Sequence, residues 1–90
     1  MTPEPDALEV ATRALARRDF SERGLRERLR RAGVTETEEE EALAALQRAG
    51  VIDDGRFARA RAEALAQRGK GDAAIRFDLS RQGVSSELAE

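Results

Sequence analysis

The string L-x-R-x-G-V occurs three times in this 90-residue chain, as LRRAGV (29–34), LQRAGV (46–51) and LSRQGV (79–84). A helix ends at low cost when glycine follows its cap residue, because glycine enters the left-handed region without a Cβ penalty. Gly33, Gly50 and Gly83 fit that place. Val34, Val51 and Val84 then pair with Leu29, Leu46 and Leu79 in Schellman endings, and Arg31, Arg48 and Arg81 fall in last turns, where the helix dipole favours cations. Three terminators in so short a chain predict an all-α fold.

Composition agrees with this and narrows the function. Seventeen alanines and nine leucines stand against two prolines and three aromatics, and no segment signals a sheet. Leu, Ile, Val and Phe make only 18 residues, so the core is small and the stability modest, while a formal charge of −2 argues against disorder. Cysteine and histidine are absent, and no apolar run long enough to span a bilayer or act as a signal peptide appears. The default expectation is a cytoplasmic protein without metal or cofactor. With no His, Cys, Tyr or Trp and no nucleophile motif or glycine-rich loop, catalysis would rest on carboxylates and arginines that caps and solvated faces already explain. An enzyme is not expected.

Sliding the chain by 50 positions lays ALARRDFSERGLRERLRRAGVT (14–35) over ALAQRGKGDAAIRFDLSRQGVS (64–85), with nine identities in 22 positions and no gap. Only the outer two L-x-R-x-G-V strings are repeat mates. The middle one ends a third helix within the first unit.

Caps and periodicity divide each unit into helices. Asp6 opens the first helix, which carries Leu8, Ala11 and Leu15 on one face. Ser21 caps the second, with Phe20 and Leu25 as a hydrophobic staple and Leu25, Leu29 and Ala32 turned inward. The third runs from about Thr37 to Ala49, with Glu38 to Glu41 in its first turn and Leu43 and Leu46 as anchors. In VIDDGRFA (51–58), Asp53 reads as the N-cap of a fourth helix ending near Arg68, with Ile52 and Phe57 as its staple; the sharper alternative is a metal or acid–base role for Asp53 and Asp54. A fifth helix covers about Asp72 to Gln82, with Ile75 and Leu79 inward, and a sixth begins at Ser85 or Ser86. The expected organisation is a disordered tail (1–5), a three-helix repeat (6–52) and a second repeat (53–90) lacking most of its third helix. Partners equivalent to Leu43 and Leu46 would lie beyond residue 90, which predicts marginal stability or self-association through the second unit.

Three stretches together carry a resemblance: R-x-x-S-x-x-x-L-x-x-x-L-x-x-x-G (Arg18, Ser21, Leu25, Leu29, Gly33), L-x-x-x-G-V-I-D-D-x-R-F-A (46–58) and G-x-x-x-I-x-x-x-L-x-x-x-G-V (71–84). Over about residues 7–88 the chain resembles the RecX family, and GVIDDxRFA is the specific part. The resemblance implies tandem three-helix, helix-turn-helix-like units and a regulator of the RecA recombinase. Such a regulator would bind RecA along the groove of its filament on single-stranded DNA and restrain its ATPase and strand exchange. The chain departs from the family in holding fewer than two complete units rather than three, and in Gly24, where an acidic residue is common.

Charge alternates along the chain: +5 over residues 13–31, −6 over 36–54 and +4 over 55–82. Arg23, Arg26 and Arg30 recur on the second helix, off its leucine face, and Arg56 and Arg59 start the fourth. These arginines are either solvated faces with partners such as Glu27 and Glu63, or a basic face for an acidic or phosphate-bearing surface. Phe77 is the odd apolar residue, since its repeat mate is Glu27; it either packs on the sixth helix or touches a partner. The candidate partner-binding set is thus Arg23, Arg26, Arg30, Arg56, Arg59, Arg76 and Phe77. The alternative function is a small helix-turn-helix-like DNA-binding module with Arg26 or Arg76 at base edges, against which a pI of about 5.3 and the lack of interleaved aromatics weigh. A helical scaffold without a ligand is the blandest reading.

Overall fold

The structure, a computed structural model, describes residues 5–85. It consists of α1 (Ala7–Arg17), α2 (Glu22–Arg31), α3 (Glu36–Arg48), α4 (Asp54–Gln67) and α5 (Asp72–Arg81), with no strand among the described residues. The expected sixth helix and most of the expected tail lie outside them. Helix α2 shifted by 50 positions coincides with α5, so the duplicated sequence makes duplicated structure.

Four helices open on a side-chain cap. Asp6 accepts the Leu8 and Glu9 N–H groups at 3.0 and 3.3 Å, and Ser21 accepts from Gly24 at 3.1 Å. Thr35 accepts from Glu38 at 3.2 Å, and Asp53 from Arg56 at 3.0 Å. Thr35 rather than Thr37 therefore opens the third helix. Val34 is pinned by the end of α2, so the Thr35 hydroxyl is the first that reaches the new turn.

The three expected terminators are Schellman endings. Gly33, Gly50 and Gly83 have φ of 89, 71 and 85°. The valines donate back to Leu29, Leu46 and Leu79 at 3.2, 2.9 and 3.1 Å. A fourth ending of the same kind closes α4: Gly69 has φ 84° and Lys70 donates to Leu65 at 3.1 Å. It lacks the valine, which hid it in the sequence.

Two hydrophobic clusters form. The first joins Ala7, Ala11 and Ala14 of α1, Phe20, Leu25 and Leu29, Val34, Ala42, Leu43 and Leu46 of α3, and Ile52. The second joins Phe57, Ala58, Leu79 and Val84, with Ala62 and Ile75 half-buried beside them. Three expectations change. Helix α1 buries its alanines and leaves Leu8 47% exposed, because small side chains let α1 lie close across both α2 and α3. Ala32 is exposed as the C-cap residue beyond the leucine stripe. Ile52 and Phe57 fall in different clusters, so instead of stapling one helix they seat the connection into both units. Val51 is correspondingly exposed, with Ile52 buried in its place.

The units join end to end in a body 50 × 23 × 18 Å. At the joint, the amino end of α2 lies against the carboxyl end of α5. Ser21, 1% exposed, accepts from Gly24 while its hydroxyl donates to the Gln82 carbonyl at 2.5 Å. Arg23 Nη2 donates to the Arg81 carbonyl at 2.6 Å, and the Glu22 N–H donates to the Asp54 carboxylate at 2.8 Å. Each bond satisfies a backbone group that a helix end leaves orphaned, and each charge sits at the dipole end that favours it.

Gly83 is closed in by this arrangement: a Cβ there would stand 2.7 Å from the Arg23 Cβ, whereas one at Gly50 would meet nothing within 4 Å. Both substitutions to alanine incur about 1–2 kcal/mol for a left-handed backbone. Gly83→Ala is expected to lose roughly another 1–3 kcal/mol from overpacking. Urea unfolding of the two variants checks this, and equal losses would contradict it.

Candidate functional site

The seven candidate side chains sort into three structural groups. Arg26 and Arg30 converge on Glu39, whose side chain is 1% exposed: Arg26 Nη1 donates to Oε1 at 2.9 Å and Arg30 Nε to Oε2 at 3.1 Å. Arg26 is also bonded to Glu40 and, at 3.1 Å, to Glu22. Burial, the largest influence on Glu39, pushes its carboxyl up, but the hydrogen bonds from Arg30 and Arg26 outweigh it and hold the group below the usual carboxylate range. Its three carboxylate partners, Glu40 foremost, raise the Arg26 guanidinium above its ordinary value. These two arginines tie α2 to α3.

Arg23 and Arg56 serve chain connections. Arg23 holds the end of α5, with Glu27 3.8 Å away, and Arg56 donates to the Gly50 and Val51 carbonyls at 3.1 and 2.8 Å, closing the end of α3. Within VIDDGRFA every conspicuous residue thus has a structural task. Asp53 caps its own helix, held low by the Arg56 N–H against the opposing effect of burial. Asp54 caps α2 of the preceding unit. Both carboxylates thus accept backbone N–H groups at helix starts, and among the described residues no cluster of three or more Asp or Glu gathers that could hold a metal ion.

Arg59, Arg76 and Phe77 remain on the surface. No carboxylate lies within 4 Å of either arginine among the described residues, and Phe77 is 66% exposed with the Arg81 guanidinium 5.9 Å from its ring centre. The set expected to form one basic face is therefore divided between the α2–α3 network, the joint and the open face of α4 and α5. On α4 and α5, Arg61 is bonded to Asp78, and this hydrogen bond lowers the Asp78 carboxyl.

Sequence reasoning missed Glu39, and the signal was there: Glu39, Leu43 and Leu46 recur at i, i+4, i+7, one face of α3. It also missed a cleft of about 370 Å³ between the units, lined by Phe20, Phe57, Ala60 and Ala64 together with Arg18 and Arg31. No helix among the described residues is long and apolar enough to cross a membrane.

Comparison with known proteins agrees with this architecture. Residues 53–90 match the family model of RecX, second three-helix domain. The regulatory protein RecX of Syntrophotalea carbinolica is 39% identical over 90 residues, covering 99% of this chain and 59% of the relative. That of Thermus thermophilus is 40% identical over 85 residues, covering 94% and 58%. The crystal structure of RecX from Lactobacillus salivarius superposes with a TM-score of 0.88 at 20% identity, over 92% of this chain and 55% of that one, which shows the shared fold. Fold and joint together define an all-α protein of tandem helical repeats. The chain is thus similar over nearly its whole length to proteins named regulatory protein RecX, its second unit matches the RecX second three-helix domain, and it spans a little over half the length of the relatives it matches.

Because the Glu39 carboxyl is lowered from its ordinary value of 4.5, the stability it contributes is complete above that value and is lost as pH falls through the lowered one. Thermal melts between about pH 7 and pH 3 are expected to show a falling melting temperature below about pH 5. Glu39→Gln should melt lower at neutral pH and depend less on acid; a variant with an unchanged acid profile would remove Glu39 from this role.

Proposed function

We propose that this chain binds the RecA recombinase, chiefly as its filament on single-stranded DNA, and restrains the ATPase and strand exchange of that filament. One observation carries the reading beyond the likeness to RecX proteins: two helical units join end to end in a 50 Å body that leaves Arg59, Arg76 and Phe77 exposed on the second unit. An elongated body with exposed cations and an open aromatic suits attachment along a larger assembly, since aromatic residues and Arg are enriched in interfaces. The relatives carry the name regulatory protein RecX, which supports a regulatory rather than a catalytic role.

A second reading, direct DNA binding with Arg26 or Arg76 as reader, is favoured at Arg76 by its exposure. Arg26 is held by three carboxylates, and a guanidinium so engaged is poorly placed to grip a base edge.

Binding to RecA on single-stranded DNA, to RecA alone and to bare duplex DNA, each across a salt series, separates the two. Tight binding is expected only to the filament; tight, steeply salt-dependent binding to bare duplex with none to RecA would replace this reading. The double variant Arg59→Glu/Arg76→Glu is expected to bind the filament at least roughly tenfold more weakly, with an unchanged melting temperature. Phe77→Ser, at an exposed position, should likewise lose binding and keep stability.

A further inference from the structure

Helix α1 is flanked by two grooves of opposite charge. One, about 510 Å³, lies where α1 meets the carboxyl half of α2, with Arg13, Arg17 and Arg28 over a floor of Val10, Ala14 and Ala16. Arg13 is engaged by Glu9 at 2.7 Å, but Arg17 and Arg28 have no carboxylate within 4 Å among the described residues, and no acidic side chain lines this groove. The other, about 410 Å³, lies between α1 and α3 and carries Asp6, Glu38 and Glu41 beside Leu8 and Ala42, with no basic side chain among the described residues. Glu38 and Glu41 make no ion pair among the described residues, and Leu8 is one of three large hydrophobic side chains left exposed there.

We propose that the basic groove takes the Leu8-bearing acidic flank of a second copy of this chain. The charges are complementary, and the floor is built of small side chains that leave room for one projecting leucine. Leu8 covers the half-buried Val10 and the exposed Ala16 of the neighbouring copy while Glu38 and Glu41 face its Arg17 and Arg28. A phosphate backbone would satisfy the arginines but would leave the exposed Leu8 and Ala16 uncovered. Because the two grooves are different patches on opposite sides of α1, the contact is heterologous, so copies add head to tail. The pairs are surface ion pairs, so the association is weak and suppressed by salt.

Sedimentation of the chain alone, without recombinase or DNA, tests this independently of the proposed partner. Concentration-dependent association is expected at about 20 mM salt and its loss at about 300 mM, as the Debye length falls from roughly 20 Å to below 10 Å. Arg17→Glu/Arg28→Glu makes both flanks acidic, and Glu38→Arg/Glu41→Arg makes both basic. Each double variant alone should stay monomeric, and an equimolar mixture should associate. Leu8→Ser, which leaves every charge in place and alters an exposed position, is expected to weaken self-association by roughly tenfold, and it keeps the test open should either charge variant fail to fold by circular dichroism. Three results would overturn the proposal: a wild-type monomer at both salt concentrations, association that survives Leu8→Ser unchanged, or a mixture that stays monomeric. Binding of a single-stranded dT oligomer that is lost in Arg17→Glu/Arg28→Glu, without any self-association, would assign the groove to phosphates instead.

Discussion

The first turn of α2 holds the molecule together. A serine hydroxyl can donate once and accept more than once, and Ser21 uses both capacities, starting its own helix and gripping the last carbonyl of α5. Glu22 and Arg23 extend the grip with a backbone N–H and a guanidinium. Hydrogen bonds of this kind each add about 0.5–1.5 kcal/mol net, and more where one partner is charged. The larger effect is geometric, because three directed bonds to helix ends, two of them part-buried, permit few relative orientations of the two units. The Gly83 backbone packs against Arg23 so closely that the joint leaves no space for a methyl group.

Part of the charge in this chain is architectural. A sequence with 16 basic and 18 acidic residues invites a reading of its arginines as ligand contacts, yet Arg23, Arg26, Arg30 and Arg56 are all engaged within the chain. With so few large apolar side chains, buried polar pairing takes part of the specifying role that a bigger core would have. Glu39 is the clearest case, an ion among leucines whose partners sit on the neighbouring helix. Open for partners are Arg59, Arg76 and Phe77 on the second unit, the grooves beside α1 on the first, and the cleft between the units.

Local rules made most of the fold legible from sequence. Asp6, Ser21 and Asp53 cap where their spacing to the following turn predicts, and the three glycines of the opening motif adopt positive φ, because caps and Schellman endings involve residues at most five apart. The candidate site was legible only as a list of residues. That Asp54 serves α2 rather than its own helix, or that Arg26 and Arg30 share one carboxylate on α3, depends on separations of 32, 13 and 9 residues that no local pattern encodes. Leu8 was misassigned for a related reason: which stripe of α1 faces inward is decided by two neighbouring helices together, and they favour its alanines.

The 50-residue duplication also has an asymmetry at its joint. The position equivalent to Ser21 is Gly71, which starts α5 without any side-chain cap. The two copies are therefore no longer interchangeable parts: exchanging their order along the chain would put a bare glycine where a hydroxyl must clasp its neighbour. After duplication, one copy kept the hand and the other became the thing held, which gives the repeat a direction that its sequence similarity conceals.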